Sequence, residues 1–184
     1  MSEPQRTIEL TDPRALRALA HPTRLSIVGL LRREGPLTAT QAGDRIGQSA
    51  ASCSFHLRQL AKYGLVEEAG GGRGRERPWR ATARFTSWKV EADENADAAA
   101  ALSSLIVERQ LEQLLGWFER MPEEPAEWQR AHQLGDTLLY LTPEELAALG
   151  ERVWELFSSL EREQPRKGTR AVQLFFAGFP RVEE

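Results

Sequence analysis

Residues 49–60 read Ser49-Ala50-Ala51-Ser52-Cys53-Ser54-Phe55-His56-Leu57-Arg58-Gln59-Leu60. Serine is a favoured N-cap, because its hydroxyl accepts from a backbone N–H left free at a helix start. Cys53, Leu57 and Leu60 then recur at i, i+4 and i+7, the spacing of one buried helical face. The stretch predicts a helix over roughly residues 50–63, closed by Gly64. Just upstream, Thr38 and Gln41 have the spacing of a capping box, with Leu37 placed as its staple residue. They predict a short helix over residues 39–46 that Gly47 breaks. Two short helices joined by a tight turn describe a helix-turn-helix.

Working outward, Asp12-Pro13 and His21-Pro22 each place a cap before a proline that needs no N–H, so two further helices start there. The second ends at Glu34-Gly35-Pro36. Downstream, residues 65–69 read as a short strand. In residues 79–83, Trp79, Ala81 and Ala83 alternate with Arg80 and Thr82 as a returning strand. Between them lies a glycine-rich basic tip, residues 70–77. A basic hairpin directly behind a helix-turn-helix reads as a wing, with Arg73, Arg75, Arg77 and Arg80 as phosphate contacts. The tip is not a nucleotide loop: Gly72-Arg73-Gly74 is followed by neither Lys-Ser/Thr nor a helix start.

Three segments together carry a resemblance: Leu19-Ala20-His21-Pro22-Thr23-Arg24, the Ser49–Leu60 stretch, and Tyr63-Gly64-Leu65-Val66. Over about residues 10–90 the chain resembles the ArsR-type winged-helix transcriptional regulators. The resemblance implies a homodimer on double-stranded DNA, with the Ser-x-His-Leu-x-x-Leu helix in the major groove and the wing on the flanking backbone. By that resemblance the DNA-facing residues are Ser49, Ser52, Ser54, Phe55, His56 and Arg58, with Gln48 beside them; from its place on the helix, His56 faces either DNA or the helix-turn-helix seam. Metal sensors of the family often place Cys-x-Cys ahead of this helix. Here that region is Leu37-Thr38-Ala39-Thr40-Gln41-Ala42, without a thiol. Cys53 falls on the apolar stripe and reads as a core thiol. We expect no metal and no cofactor.

The charge distribution agrees with a nucleic-acid partner for the first half alone. The formal net charge is -3 over 184 residues. Residues 1–90 carry 15 basic and 8 acidic side chains, a net of +7, while residues 91–184 carry 9 and 19, a net of -10. A basic half tethered to an acidic half directs a polyanion to one end. No apolar run approaches bilayer thickness, and the first residues have no signal-peptide pattern. A single cysteine excludes an intrachain disulfide. We expect a cytoplasmic protein with no membrane contact.

The second half exceeds what a simple helical extension needs. A helix is expected over residues 96–120, with Val107, Leu111, Leu114, Phe118 and Met121 in heptad steps that suit pairing with a second copy. Leu102, Ile106 and Trp117 form a second apolar stripe. Met121-Pro122 ends the helix, and a short one follows over about residues 123–133. Residues 136–141 and 171–179 read as strands around a helix that opens at Thr142-Pro143-Glu144-Glu145. The expected organisation is α+β: a winged helix over residues 10–90, a dimerisation helix over 91–122, and a small α+β subdomain over 123–184. Trp117, Trp128, Tyr140, Trp154 and Phe176 concentrate aromatic surface there. That density suits a pocket for a small apolar or aromatic effector, and equally the packing of a small core.

The expected function is a homodimeric, sequence-specific DNA-binding regulator that represses by occupying its operator. A winged-helix module for protein association is the alternative. A small enzyme is weaker still, since no nucleophile–base pair or paired carboxylates appear; Glu144 and Glu145 are explained by helix capping.

Overall fold

The computed structural model describes residues 5–72, 77–88, 96–160 and 166–181. The chain divides into two units, Met1–Leu114 and Leu115–Glu184. The division falls inside the long helix, between the boundaries expected after residues 90 and 122.

The first unit runs β1 (Gln5–Glu9), α1 (Pro13–Leu19), α2 (Pro22–Glu34), α3 (Ala39–Ile46), α4 (Ala50–Lys62), β2 (Val66–Glu68), β3 (Trp79–Ala81), β4 (Ala83–Ser87) and the first part of α5 (Ala96–Arg120). Each helix start has the chemistry expected of it. Asp12 accepts from the Arg14 N–H, and Thr38 and Gln41 make a reciprocal capping box. The start of α2 is less usual: His21 Nδ1 accepts from the Thr23 N–H at 3.2 Å, so this imidazole caps in its neutral form. Gly47, in the left-handed region at φ 67°, closes α3 and turns the chain into α4.

The core is aliphatic. Leu16, Ile27, Leu30, Leu57, Leu60, Leu65 and Leu102 are almost completely buried. Each such side chain contributes about 1.5–3 kcal/mol relative to an exposed one. Cys53 is 0% exposed among them, and burial pushes its thiol pKa up. The start of α5 joins the same core through Ala98, Ala99 and Leu102. Trp88 Nε1 fixes the approach by donating to Ser103 Oγ at 3.0 Å.

Two small sheets frame the helices. β2 and β3 pair antiparallel, with Glu67 opposite Arg80. Leu37, ahead of α3, bridges to Trp79 through reciprocal backbone bonds of 3.0 and 2.8 Å. The returning strand expected over residues 79–83 splits at Thr82: β3 serves the hairpin, while β4 pairs in parallel with β1, Thr7 opposite Phe85. β1 was not expected from the sequence, because a five-residue strand has no meaning without its partner. Arg32 ties α2 to that second sheet, donating from Nε to the Ala83 carbonyl at 2.9 Å and from Nη2 to Thr86 Oγ1 at 2.6 Å. Burial pulls its guanidinium pKa down to about 10.

The second unit contains the last turns of α5, a 3-10 turn (Met121–Glu123), α6 (Ala126–Ala131) and α7 (Pro143–Ser159). The capping box of Thr142 and Glu145 opens α7 as expected. The helix expected over residues 123–133 is shorter, split into the 3-10 turn and α6. The strands expected over residues 136–141 and 171–179 do not form; both stretches are irregular. Their apolar residues satisfy a strand pattern locally, but a strand is stable only with a hydrogen-bonded neighbour, and neither segment acquires one. Residues 123–184 are therefore not an α+β subdomain among the described residues; the chain's sheets lie in the first unit. The C-terminal segment is held by Arg170, which pairs with Glu124 at 2.6 Å and lies 5.1 Å over the Trp128 ring. Near its end, a Cβ built on Gly178 would lie 2.9 Å from Leu146 Cδ1, so this stretch runs close against α7.

Candidate nucleic-acid interface

The buried stripe of α4 decides what its other side presents. Cys53, Leu57 and Leu60 are all 0% exposed, which turns Ser49, Phe55 and Arg58 outward. Ser49 Oγ accepts from the Ser52 N–H at 3.1 Å and caps the helix. Phe55 is 55% exposed, a large ring left mostly in water. Arg58 folds back along its own helix, donating from Nε to the Ser54 carbonyl at 3.1 Å and from Nη2 to Ser54 Oγ at 3.2 Å. Ser54 and Arg58 thus present one joint polar feature, one turn beyond Ser49. Gln48 is exposed at the turn into α4.

His56 is placed differently from its neighbours. It is half-buried, its ring centroid 4.7 Å from His21 and 5.3 Å from Phe55. It belongs to the seam between α4 and the start of α2, not to the outer face. Burial, with the His21 and Arg24 charges nearby, pushes the His56 pKa below its ordinary value. Burial and Arg24 do the same to His21. His56 Nδ1 and Arg24 Nε are both buried without a hydrogen-bond partner.

The helix-turn-helix depends on a close approach that sequence reading missed. A Cβ on Gly43 would lie 2.5 Å from the Gln48 carbonyl oxygen, and the Gln48 N–H donates to the Gly43 carbonyl at 3.0 Å. The signal was available as a glycine inside a short helix, where its propensity cost calls for a packing reason.

On the hairpin, Arg80 pairs with Glu67 at 2.6 Å and Arg77 with Glu68 at 3.0 Å. Arg73 and Arg75 lie outside the described residues. The two carboxylates were also missed, because nothing in the sequence says which strand residues face each other.

The expected dimer seam lies along α5. Val107, Leu111 and Phe118 are 49%, 53% and 37% exposed, and Leu115, which the heptad reading passed over, is 52% exposed. Leu114 and Met121 are partly buried. The five aromatic residues grouped as an effector pocket find separate neighbours. Trp117 lies 5.8 Å from the His132 ring, Trp128 lies under Arg170, and Trp154 meets Phe157 at 5.5 Å. Phe176 is partly buried, while Tyr140 is 96% exposed and lines no enclosed space within the chain. Among the described residues of 115–184 no side chain is fully buried. No group of three or more His, Cys, Asp or Glu residues is placed to hold a metal ion among the described residues. No helix among them is long and apolar enough to cross a membrane.

Residues 19–69 match the family model described as a helix-turn-helix domain. That match spans α2, α3, α4 and β2, and the β2–β3 hairpin follows directly. The fold is a winged helix-turn-helix. Its first half resembles the ArsR-type regulators. Among solved structures, the chain is similar to a homodimeric winged helix-turn-helix DNA-binding domain of a possible ArsR-family transcriptional regulator from Mycobacterium bovis, at 24% identity over 53% of this chain and 76% of that one, with a TM-score of 0.36. It is similar to a possible transcriptional regulator for arsenical resistance at 27% identity, over 56% of this chain and 94% of the other, TM-score 0.34. A MarR family regulator from Neisseria meningitidis aligns at 17% identity over 77% of this chain and 81% of its own, TM-score 0.36. No curated protein matches the sequence.

Proposed function

We propose that the protein is a homodimeric, sequence-specific DNA-binding transcriptional regulator that represses by occupying its operator in the cytoplasm. The observation that carries this reading is the outward face of α4, with Ser49, Ser54, Phe55 and Arg58 set on a completely buried stripe. A rigid helix is held proud of the core with polar and aromatic groups suited to a major groove. The arginines of the wing, on the basic half of the chain, would supply phosphate contacts. Two copies would place their α4 helices on successive major-groove faces about 34–36 Å apart. The exposed apolar side chains of α5 support the pairing, since such a row in water marks an interaction surface. The acidic half would then keep DNA to one side of the dimer. If a small apolar or aromatic effector acts, it must bind the DNA-competent and incompetent dimers with different affinity.

Selection of bound sequences from a random duplex pool tests the reading. Enrichment of a pseudo-palindromic site, with binding that weakens as salt rises, is expected. A second reading, a module for protein association, is favoured by Tyr140 at 96% and Phe179 at 77% exposure. No enriched site, no salt-dependent DNA binding and a stable DNA-independent complex would select it.

A further inference from the structure

β2 is an unusual strand to place on a DNA-facing hairpin. Val66 is buried and the next two residues, Glu67 and Glu68, are both exposed carboxylates. Each holds an arginine. Glu67 stands directly opposite Arg80 in the β2–β3 register and accepts from its Nη2 at 2.6 Å and its Nε at 2.8 Å. Glu68 accepts from Arg77 Nη1 at 3.0 Å. Both described arginines of the hairpin are therefore already paired. Stability does not account for the outer pair: Glu68 and Arg77 are 47% and 71% exposed, and ion pairs in water contribute little to folding. Arg80 is itself only 19% exposed, against 50% for Glu67, so freeing it offers less cation to DNA than freeing Arg77.

The pairs matter for binding a polyanion. A free arginine that meets a phosphate releases a condensed counterion, and that release drives sequence-independent affinity. An arginine held by its own carboxylate offers much less. Either the Glu–Arg pair must break, or the carboxylate stays near the phosphate and repels it. We propose that Glu67 and Glu68 are internal counterions that restrain Arg80 and Arg77 on DNA of any sequence, leaving discrimination to α4. This rests on the DNA-binding reading above. The restraint acts on every duplex alike, so it lowers affinity for random and operator DNA by the same factor, and the preference between them stays with the contacts that α4 makes to bases.

The test uses the full chain with E67Q/E68Q, titrated by fluorescence anisotropy against random-sequence duplex and against the selected operator over a salt series. The variant should bind random duplex more tightly at low salt, by up to about fivefold per freed arginine. Its salt slope should steepen by up to about one unit per arginine on both duplexes, while its operator-to-random ratio stays the same. R77Q/R80Q should move the slope the other way. Glu68→Gln alone, on the more exposed pair, should give part of the effect and keeps the test open if the double variant melts early. If wild-type protein binds duplex in a salt-dependent way, yet the Glu→Gln variants leave affinity and slope unchanged or weaken binding, the counterion role is overturned and DNA binding stands. If wild-type protein binds no duplex, the DNA reading itself fails and this inference falls with it.

Discussion

Gly43 of α3 touches the Gln48 carbonyl across the turn into α4, so closely that a Cβ there would lie 2.5 Å from the oxygen. The contact is backbone on backbone, and no flexible side chain can yield to relieve it. In an open helix Gly→Ala would stabilise by up to about 1 kcal/mol. Here Gly43→Ala should instead destabilise by about 1–3 kcal/mol, the usual range for overpacking. It should also tilt α4 and weaken operator binding. Urea melts and DNA titration of the same preparation check both. A stabilised variant would mean that the turn opens at no cost.

Acid should weaken the fold through His21 and His56. Both have folded pKa values below the ordinary 6.5, mainly through burial and, for each, with Arg24 nearby; His56 also faces His21. Tyr63 also interacts electrostatically with Arg24. A lowered folded pKa means that the unfolded chain takes up the proton first. Their contribution is therefore fully present above pH 6.5. It is lost as pH falls from there through the lower folded values. Protonation also removes the Nδ1 acceptor that caps α2. His21→Asn keeps a capping acceptor without the titration, so it should flatten the fall in urea midpoint on acidification. An unchanged slope would take His21 out of the acid response.

Arg58→Ala should cost about 1–3 kcal/mol on the preferred site if the guanidinium reads a base. Because Arg58 is hooked to Ser54 by two hydrogen bonds, Ser54→Ala should shift the same preference to a lesser degree. The operator-to-scrambled binding ratio is the measurement. If Arg58→Ala leaves that ratio intact while lowering both affinities, Arg58 contacts phosphate only.

Replacing Leu111, 53% exposed on α5, with glutamate should separate a dimer without unfolding the winged helix, since no core contact is lost. Sedimentation equilibrium should show the wild-type chain at about twice its 20.7 kDa mass and the variant shifted toward the monomer. A wild-type monomer would defeat the proposed seam and the palindromic operator with it.

The winged helix was legible in the sequence because its information is local. N-caps at Asp12, Thr38 and Ser49, the stops at Gly35, Gly47 and Gly64, and the Cys53–Leu57–Leu60 period act within one or two helical turns. They specify where helices begin, end and turn inward before any tertiary contact exists. The long helix over residues 96–120 and the capping box at Thr142 were readable for the same reason. What depends on distant partners was not. β1, with a single apolar residue, exists only because β4 lies beside it, and residues 136–141, far more apolar, find no such neighbour. The Glu67–Arg80 and Glu68–Arg77 pairs follow from a hairpin register that no spacing along the chain encodes. The His21–His56 contact joins residues 35 positions apart, brought together when α4 settles against the start of α2. Sequence alone determined which stretches are helical and which face of each is apolar, because those are short-range properties. Tertiary structure decided which strands form, which arginines are already neutralised and which histidine leaves the outer face, because each depends on what the fold places opposite.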